Sequence, residues 1–163
     1  MRKFIMEEKQ NKLEQLLWNI AFPGVAQLLS GQYIKGILFI GLEFLVNSQA
    51  NFNKVILLSF HGEINQAIEE ADYQWLMFYP CLYMFAIWDG YRDAGGMKVP
   101  YSFLPFVLAA YLLTLGVIYS PKLKIFGVLL GPIWLPFLFL PIGLGIGIAI
   151  RIILLKVKSS SLN

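Results

Sequence analysis

The sequence predicts an all-α fold: a polytopic integral membrane helical protein of about four spans, with an N-terminal re-entrant or interfacial hairpin. Three observations predict it. Of the 163 residues, 58% are hydrophobic and only 14% charged, and the mean hydropathy is +0.64, more apolar surface than one soluble core of this length buries. Residues 125–150, IFGVLLGPIWLPFLFLPIGLGIGIAI, run twenty-six positions without a charge. Residues 103–119, FLPFVLAAYLLTLGVIY, run seventeen, where about 20 apolar residues cross a bilayer. A single membrane domain over residues 1–163 is expected.

The chain opens MRKFIMEEKQNKLEQ. Phe4, Ile5 and Met6 make too short an apolar run for a signal peptide, so residues 1–15 are expected to stay as a cytoplasmic amphipathic N-terminus. Five hydrophobic stretches follow, at about 16–30, 34–50, 74–89, 103–120 and 125–150. The first, LLWNIAFPGVAQLLS, is fifteen residues long and holds Asn19, Gln27 and a central Pro23-Gly24, which fits a hairpin that dips in and returns better than a span. The third is bounded by Trp75 and Trp88, residue types that favour the headgroup level.

Charge tests the choice, because Lys and Arg of short loops favour the cytoplasmic side. If the first stretch spans, the cations divide seven inside against six outside. If it returns, ten lie inside (Arg2, Lys3, Lys9, Lys12, Lys35, Arg92, Lys98, Arg151, Lys156, Lys158) and three outside (Lys54, Lys122, Lys124). The second arrangement has a usable bias. It puts both termini in the cytoplasm of a bacterial cell (plasma) membrane.

Residues 51–73 then form an acidic extracytoplasmic segment, with Glu63, Glu69, Glu70 and Asp72 against Lys54 and His61. Ile64, Ala67, Ile68 and Ala71 recur at three- and four-residue steps, which predicts a short amphipathic surface helix. Residues 151–163 read as a basic cytoplasmic tail, Arg151, Lys156 and Lys158 meeting anionic headgroups. Pro132, Pro136 and Pro141 predict that the last stretch is kinked or broken. Gly127 with Gly131, and Gly143 with Gly147, give two small-residue spacings expected to pack helices within the chain. Cys81 lies in the apolar run MFYPCLYMF and is read as packing.

Three features carry the candidate sites. In FPGVAQLLSGQYIKG, Pro23-Gly24 breaks the hairpin, Gln27 is positioned to bond the freed backbone, and Gly31, Gln32 and Gly36 frame a polar turn from which Lys35 snorkels toward headgroups. Gly24→Val is expected to harm folding more than the same change at Gly90, placed in a following loop. The residues Pro23, Gly24, Gln27, Gly31, Lys35 and Gly36 resemble a turn of small bacterial multi-pass membrane proteins of unassigned function. The stretch also looks like the N-terminal hairpin of some sugar-transporter permeases and, more loosely, the two-transmembrane-hairpin domain. Those proteins read PGLGQ where this chain has PGVAQ. The likeness spans about residues 18–46 and implies location, not activity.

The second feature is IWDGYRDAGG, residues 87–96, where Asp89, Arg92 and Asp93 are spaced for a helix-end ion pair stopped by Gly95-Gly96. Its Asp89, Tyr91, Arg92 and Ala94 resemble the D-x-Y-R-x-A tail of the same proteins. Membrane alcohol phosphotransferases carry a longer acidic series that this chain lacks. The third is Glu43 with Asn47 one turn on, an intramembrane polar site, since an ionisable group inside a span is costly and needs a partner or a cavity. Lys35 or Arg92 is the expected partner.

No catalytic constellation is legible. His61 is the sole histidine, the carboxylates near it lack metal-ligand spacing and read as a solvated acidic face, and the Gly143–Gly147 run lacks the strand a dinucleotide site needs. The expected function is therefore non-enzymatic: a small subunit, assembly factor or regulator of a membrane complex. A small transporter or channel component using Glu43 is the alternative, and a lipid-modifying enzyme using Asp89, Arg92 and Asp93 comes third. The expected partners are the lipid bilayer and another membrane protein. No cofactor, no metal and no nucleic acid are expected, and the oligomeric state is left open.

Overall fold

A computed structural model describes residues 13–95 and 100–160. Residues 1–12 of the expected N-terminal segment, and 161–163 of the expected tail, lie outside them. Of the described residues, 78% are helical, in agreement with the all-α class. Residues 13–21 (α1) are helical and lead into α2 (Val25–Leu29), α3 (Tyr33–Gln49), α4 (Phe52–Phe60), α5 (Ile64–Glu70), α6 (Tyr73–Leu76), α7 (Tyr79–Asp93), α8 (Leu104–Tyr119) and α9 (Gly131–Ser160).

Among the described residues one helix, α9, is long and apolar enough to cross a membrane. Its most apolar window has a mean hydropathy of 2.4 and is only 11% buried. Helix α8 is as apolar in character but shorter, about 24 Å at the usual 1.5 Å rise. Residues 151–160 continue α9 rather than forming a separate tail.

The α8–α9 pair is antiparallel and set by glycine. A Cβ at Gly143 would lie 2.7 Å from Cα of Ala109, and one at Gly147 would lie 2.5 Å from Cα of Pro105. The same holds for Gly116 of α8, at 2.7 Å from Cα of Pro136. Gly143 and Gly147 thus pack helices within the chain, as their spacing implied. Gly127 and Gly131 do not share a helix face. Gly127 turns a two-stranded antiparallel hairpin, β1 (Lys124–Ile125) with β2 (Val128–Leu129), and Gly131 opens α9 against Ile64. The last apolar stretch therefore starts as β-structure.

The expected break at the prolines is absent, since α9 stays helical through Pro136 and Pro141. Pro132 falls in the first turn, where no intrahelical hydrogen bond is lost. The short helix read from Ile64, Ala67, Ile68 and Ala71 is α5, and α4 precedes it in residues 51–73. Gly62 turns α4 back on α5, Lys54 pairs with Glu70 at 2.7 Å, and Asp72 caps α6 through the amides of Gln74 and Trp75. Val55 of α4 and Ala67 of α5 are buried against Ile133 of α9, and Trp134 donates to the Ser59 carbonyl at 3.0 Å. The basal core of the other end joins Met84 and Ile87 of α7 to Ala109 of α8.

Because the α8–α9 spacing leaves no room for a methyl group, Gly143→Ala and Gly147→Ala should each cost roughly 1–3 kcal/mol. Nothing approaches Gly145 within 4 Å, so Gly145→Ala should be neutral or gain up to about 1 kcal/mol of helix propensity. Thermal unfolding of the purified variants in one detergent measures the ranking.

Candidate functional site

The two sequence motifs meet. Helix α3 runs antiparallel to α7, and three pairs four residues apart on α3 join them: Lys35 with Asp89, Phe39 with Phe85, and Glu43 with Tyr79. Asp89 is 2% exposed. Its carboxylate takes Lys35 Nζ at 3.2 Å, Arg92 Nη2 at 2.6 Å and the Gln27 amide at 3.3 Å. Lys35 also reaches Asp93 at 3.2 Å, Gln32 donates to Asp93 at 2.6 Å, and Arg92 Nε lies 3.3 Å from Asp93. The Arg92 guanidinium covers the Trp88 ring at 4.9 Å. Burial pushes the Asp93 carboxyl up, but hydrogen bonds from Gln32 and Lys35 and the charges of Lys35 and Arg92 outweigh it and hold it below the usual carboxylate range.

A second set of bonds runs through uncharged groups. The Ala86 carbonyl accepts from Asn19 Nδ2 and from Gln27 Nε2, each at 3.0 Å, while Asn19 Oδ1 accepts the Gly24 amide at 3.2 Å. Asn19 is therefore the residue that satisfies the backbone at the Pro23-Gly24 break. Gln27, expected in that role, bonds across to α7. Gly24 itself has φ of 97°, which only glycine adopts freely, and it packs where a Cβ would lie 2.7 Å from the Gly36 carbonyl oxygen. Pro23 is buried beside it, and Gly31 turns the chain with φ of 76° in open space.

Several expectations are corrected. The pair Asp89–Arg92 forms at the i, i+3 spacing as read, and Lys35 pairs with two carboxylates on the facing helix. Gly90 is not in a loop. It lies inside α7, buried, and a Cβ there would sit 2.1 Å from Asn19 Nδ2. Helix α7 runs about one turn past Asp89 and ends at Asp93, with Gly95 in the left-handed conformation beyond it, as the helical extension read over these residues implied. Gly96 is outside the described residues.

Glu43 has neither Lys35 nor Arg92 as partner, since Lys35 lies about two turns away on α3 and Arg92 lies beyond Asp89 at the other end of the ladder. It is 5% exposed, its Oε1 accepts the Tyr79 hydroxyl at 2.6 Å, and its Oε2 has no hydrogen-bond partner among the described residues. Asn47 turns away and bonds Asn53 at 3.3 Å, so the two do not make one site. Tyr79 stacks on Tyr83 with centroids 5.7 Å apart, and the Tyr83 hydroxyl donates to the Ile20 carbonyl at the end of α1. Both tyrosines line an apolar cavity of about 280 Å³ with Phe52, Phe60, Leu113 and Phe137.

Asn19, Gly90 and Tyr79 were not singled out as site residues. Two amides inside one apolar run, Asn19 and Gln27, are a readable demand for partners. Tyr79 carries no signal among eight tyrosines. Against known proteins, no family model, no curated protein and no solved structure matches the chain.

If Gly90 serves to admit Asn19, Gly90→Ala should cost about 1–3 kcal/mol, the worth of two displaced hydrogen bonds. Asn19→Ala should cost a similar amount and the double variant scarcely more, a strong non-additivity readable by thermal unfolding. A second outcome follows from Asp93. A carboxyl held low in the folded state adds stability above its unfolded value that is lost as pH falls through the folded one. The gap in melting temperature between wild type and Asp93→Asn, open at about pH 6, should therefore close below about pH 4.

Proposed function

We propose that the chain is a multi-pass membrane protein of the bacterial plasma membrane that acts without catalysis, as a small subunit, assembly factor or regulator of a membrane complex. The observation that carries this reading is the direction its polar groups face. Asp89, Arg92, Asp93, Lys35 and Gln27, the residues most suggestive of chemistry, are spent on one another. What faces outward is apolar: Ile34 is 86% exposed, Phe44 76%, Ile37 66% and Tyr111 60%. Soluble monomers rarely carry contiguous apolar patches of more than a few hundred Å².

Such a surface suits hydrocarbon and neighbouring helices. Helices α3, α7 and α8 supply three further crossings on this reading, each somewhat shorter than the ~30 Å apolar core, which local thinning and snorkelling flanking residues accommodate. The ten-to-three division of cations supports both termini facing the cytoplasm. The turn shared in pattern with multi-pass and permease hairpins agrees with a place beside transport machinery.

A second reading, a small transporter or channel component, is favoured by one observation. Glu43 keeps a buried carboxylate oxygen without a partner among the described residues, and ionisable groups inside spans mark pathways.

Mild-detergent extraction of the tagged protein tests the leading reading. It should elute with at least one other integral membrane protein in fixed ratio. A reproducible monomer with no stoichiometric companion would overturn it.

A further inference from the structure

Two carboxyl side chains are buried among the described residues, Asp89 and Glu43. Their surroundings differ in kind. Asp89 has two cations and an amide on it. Glu43 has one neutral donor, the Tyr79 hydroxyl on Oε1, and nothing on Oε2.

The groups packed round it supply no counter-charge. Helix α7 presents Tyr79 and Tyr83, with Phe52 of α4 tilted against the Tyr79 ring at 4.3 Å. The one cation of α4, Lys54, pairs with Glu70, and Tyr73 of α6 bonds Ser120. Helix α2, VAQLL, has no titratable residue. On α3 and α7 the remaining charges, Lys35, Asp89, Arg92 and Asp93, are closed on each other at the far end of the ladder.

An ionised carboxylate in that setting is a buried charge without a counter-ion, and neutralisation removes that charge. We propose that Glu43 is a proton-binding site: at neutral pH its Oε2 carries a proton, while Oε1 accepts the Tyr79 hydroxyl and so ties α3 to α7 as a neutral pair. The ligand is a proton and not a metal cation, because one carboxyl and one phenol are too few oxygen ligands for a hard cation. Release of the proton leaves a buried charge among Tyr79, Tyr83 and the Phe52 ring, with the Tyr79 hydroxyl as its one hydrogen-bond donor among the described residues. The inference names the ligand of the second reading above and rests on it only for transport.

Infrared spectroscopy of the full chain in lipid vesicles reads the proton directly. Wild type at neutral pH should show a carboxylic-acid C=O stretch that Glu43→Gln abolishes, Asp89→Asn leaves in place, and Tyr79→Phe shifts through loss of the hydrogen bond. The shift in Tyr79→Phe keeps the assignment testable if Glu43→Gln folds poorly. Absence of any such band, or a band that survives Glu43→Gln unchanged, overturns the proposal. Proton flux into the same vesicles, compared with Glu43→Gln, tests the transport reading separately. A band without Glu43-dependent flux ends that reading and leaves the proton site standing, whereas flux without the band still overturns the site.

Discussion

The buried carboxylate of Asp89 is the constraint from which the rest of the hairpin end follows. Taking a charge out of water costs several kcal/mol unless geometry and hydrogen bonds return it. Here the return comes from three elements at once: Lys35 of α3, Gln27 of α2 and Arg92 of α7 itself. Those donors reach the carboxylate in one arrangement of the elements only. A single residue therefore fixes how the broken N-terminal hairpin lies on α7, and the neutral bonds of Asn19 and Gln27 to the Ala86 carbonyl, one turn earlier, fix the same register a second time. Such pairs are poor sources of net stability and good sources of specificity.

The register reaches further because α3 and α7 are antiparallel neighbours. Once Lys35 is on Asp89, the antiparallel run brings Phe39 to Phe85 and Glu43 to Tyr79. Over about 12 Å of helix the contact changes from ionic, to aromatic, to a single hydrogen bond. Glycine sets the distances where these surfaces touch. Gly36 gives way to Leu28 and Gly90 to Asn19, while Gly143 and Gly147 do the same for α8.

Much of this was legible one motif at a time. The Asp89–Arg92 spacing declared its own pair, the Pro23-Gly24 break declared a turn, and Gly143 with Gly147 declared a tight helix contact. The meeting of Lys35 with Asp89 spans 54 positions in the chain, and no local periodicity encodes a partner at that range. Gly90 misled because Asp-Gly-Tyr-Arg-Asp has the composition of a turn. Its residues stay helical because their charges are satisfied across the interface, which composition does not record. The β1–β2 hairpin was hidden for the opposite reason: Ile125, Phe126 and Val128 continue a charge-free run, so hydropathy merged them with α9, although Phe126-Gly127 takes two positive φ angles.

The two ends of the α3–α7 ladder differ in what it takes to change their state. Opening the Asp89 end means separating a buried carboxylate from Lys35, Arg92 and Gln27 together. The Glu43 end holds one carboxyl, one phenol and no counter-ion, so adding or removing one proton alters the whole balance there. A fold that needs a fixed hairpin and a changeable interior has reason to place them at opposite ends of one helix pair. The ionic rung then keeps the register while the neutral rung titrates, and the aromatic contact of Phe39 with Phe85 separates the two.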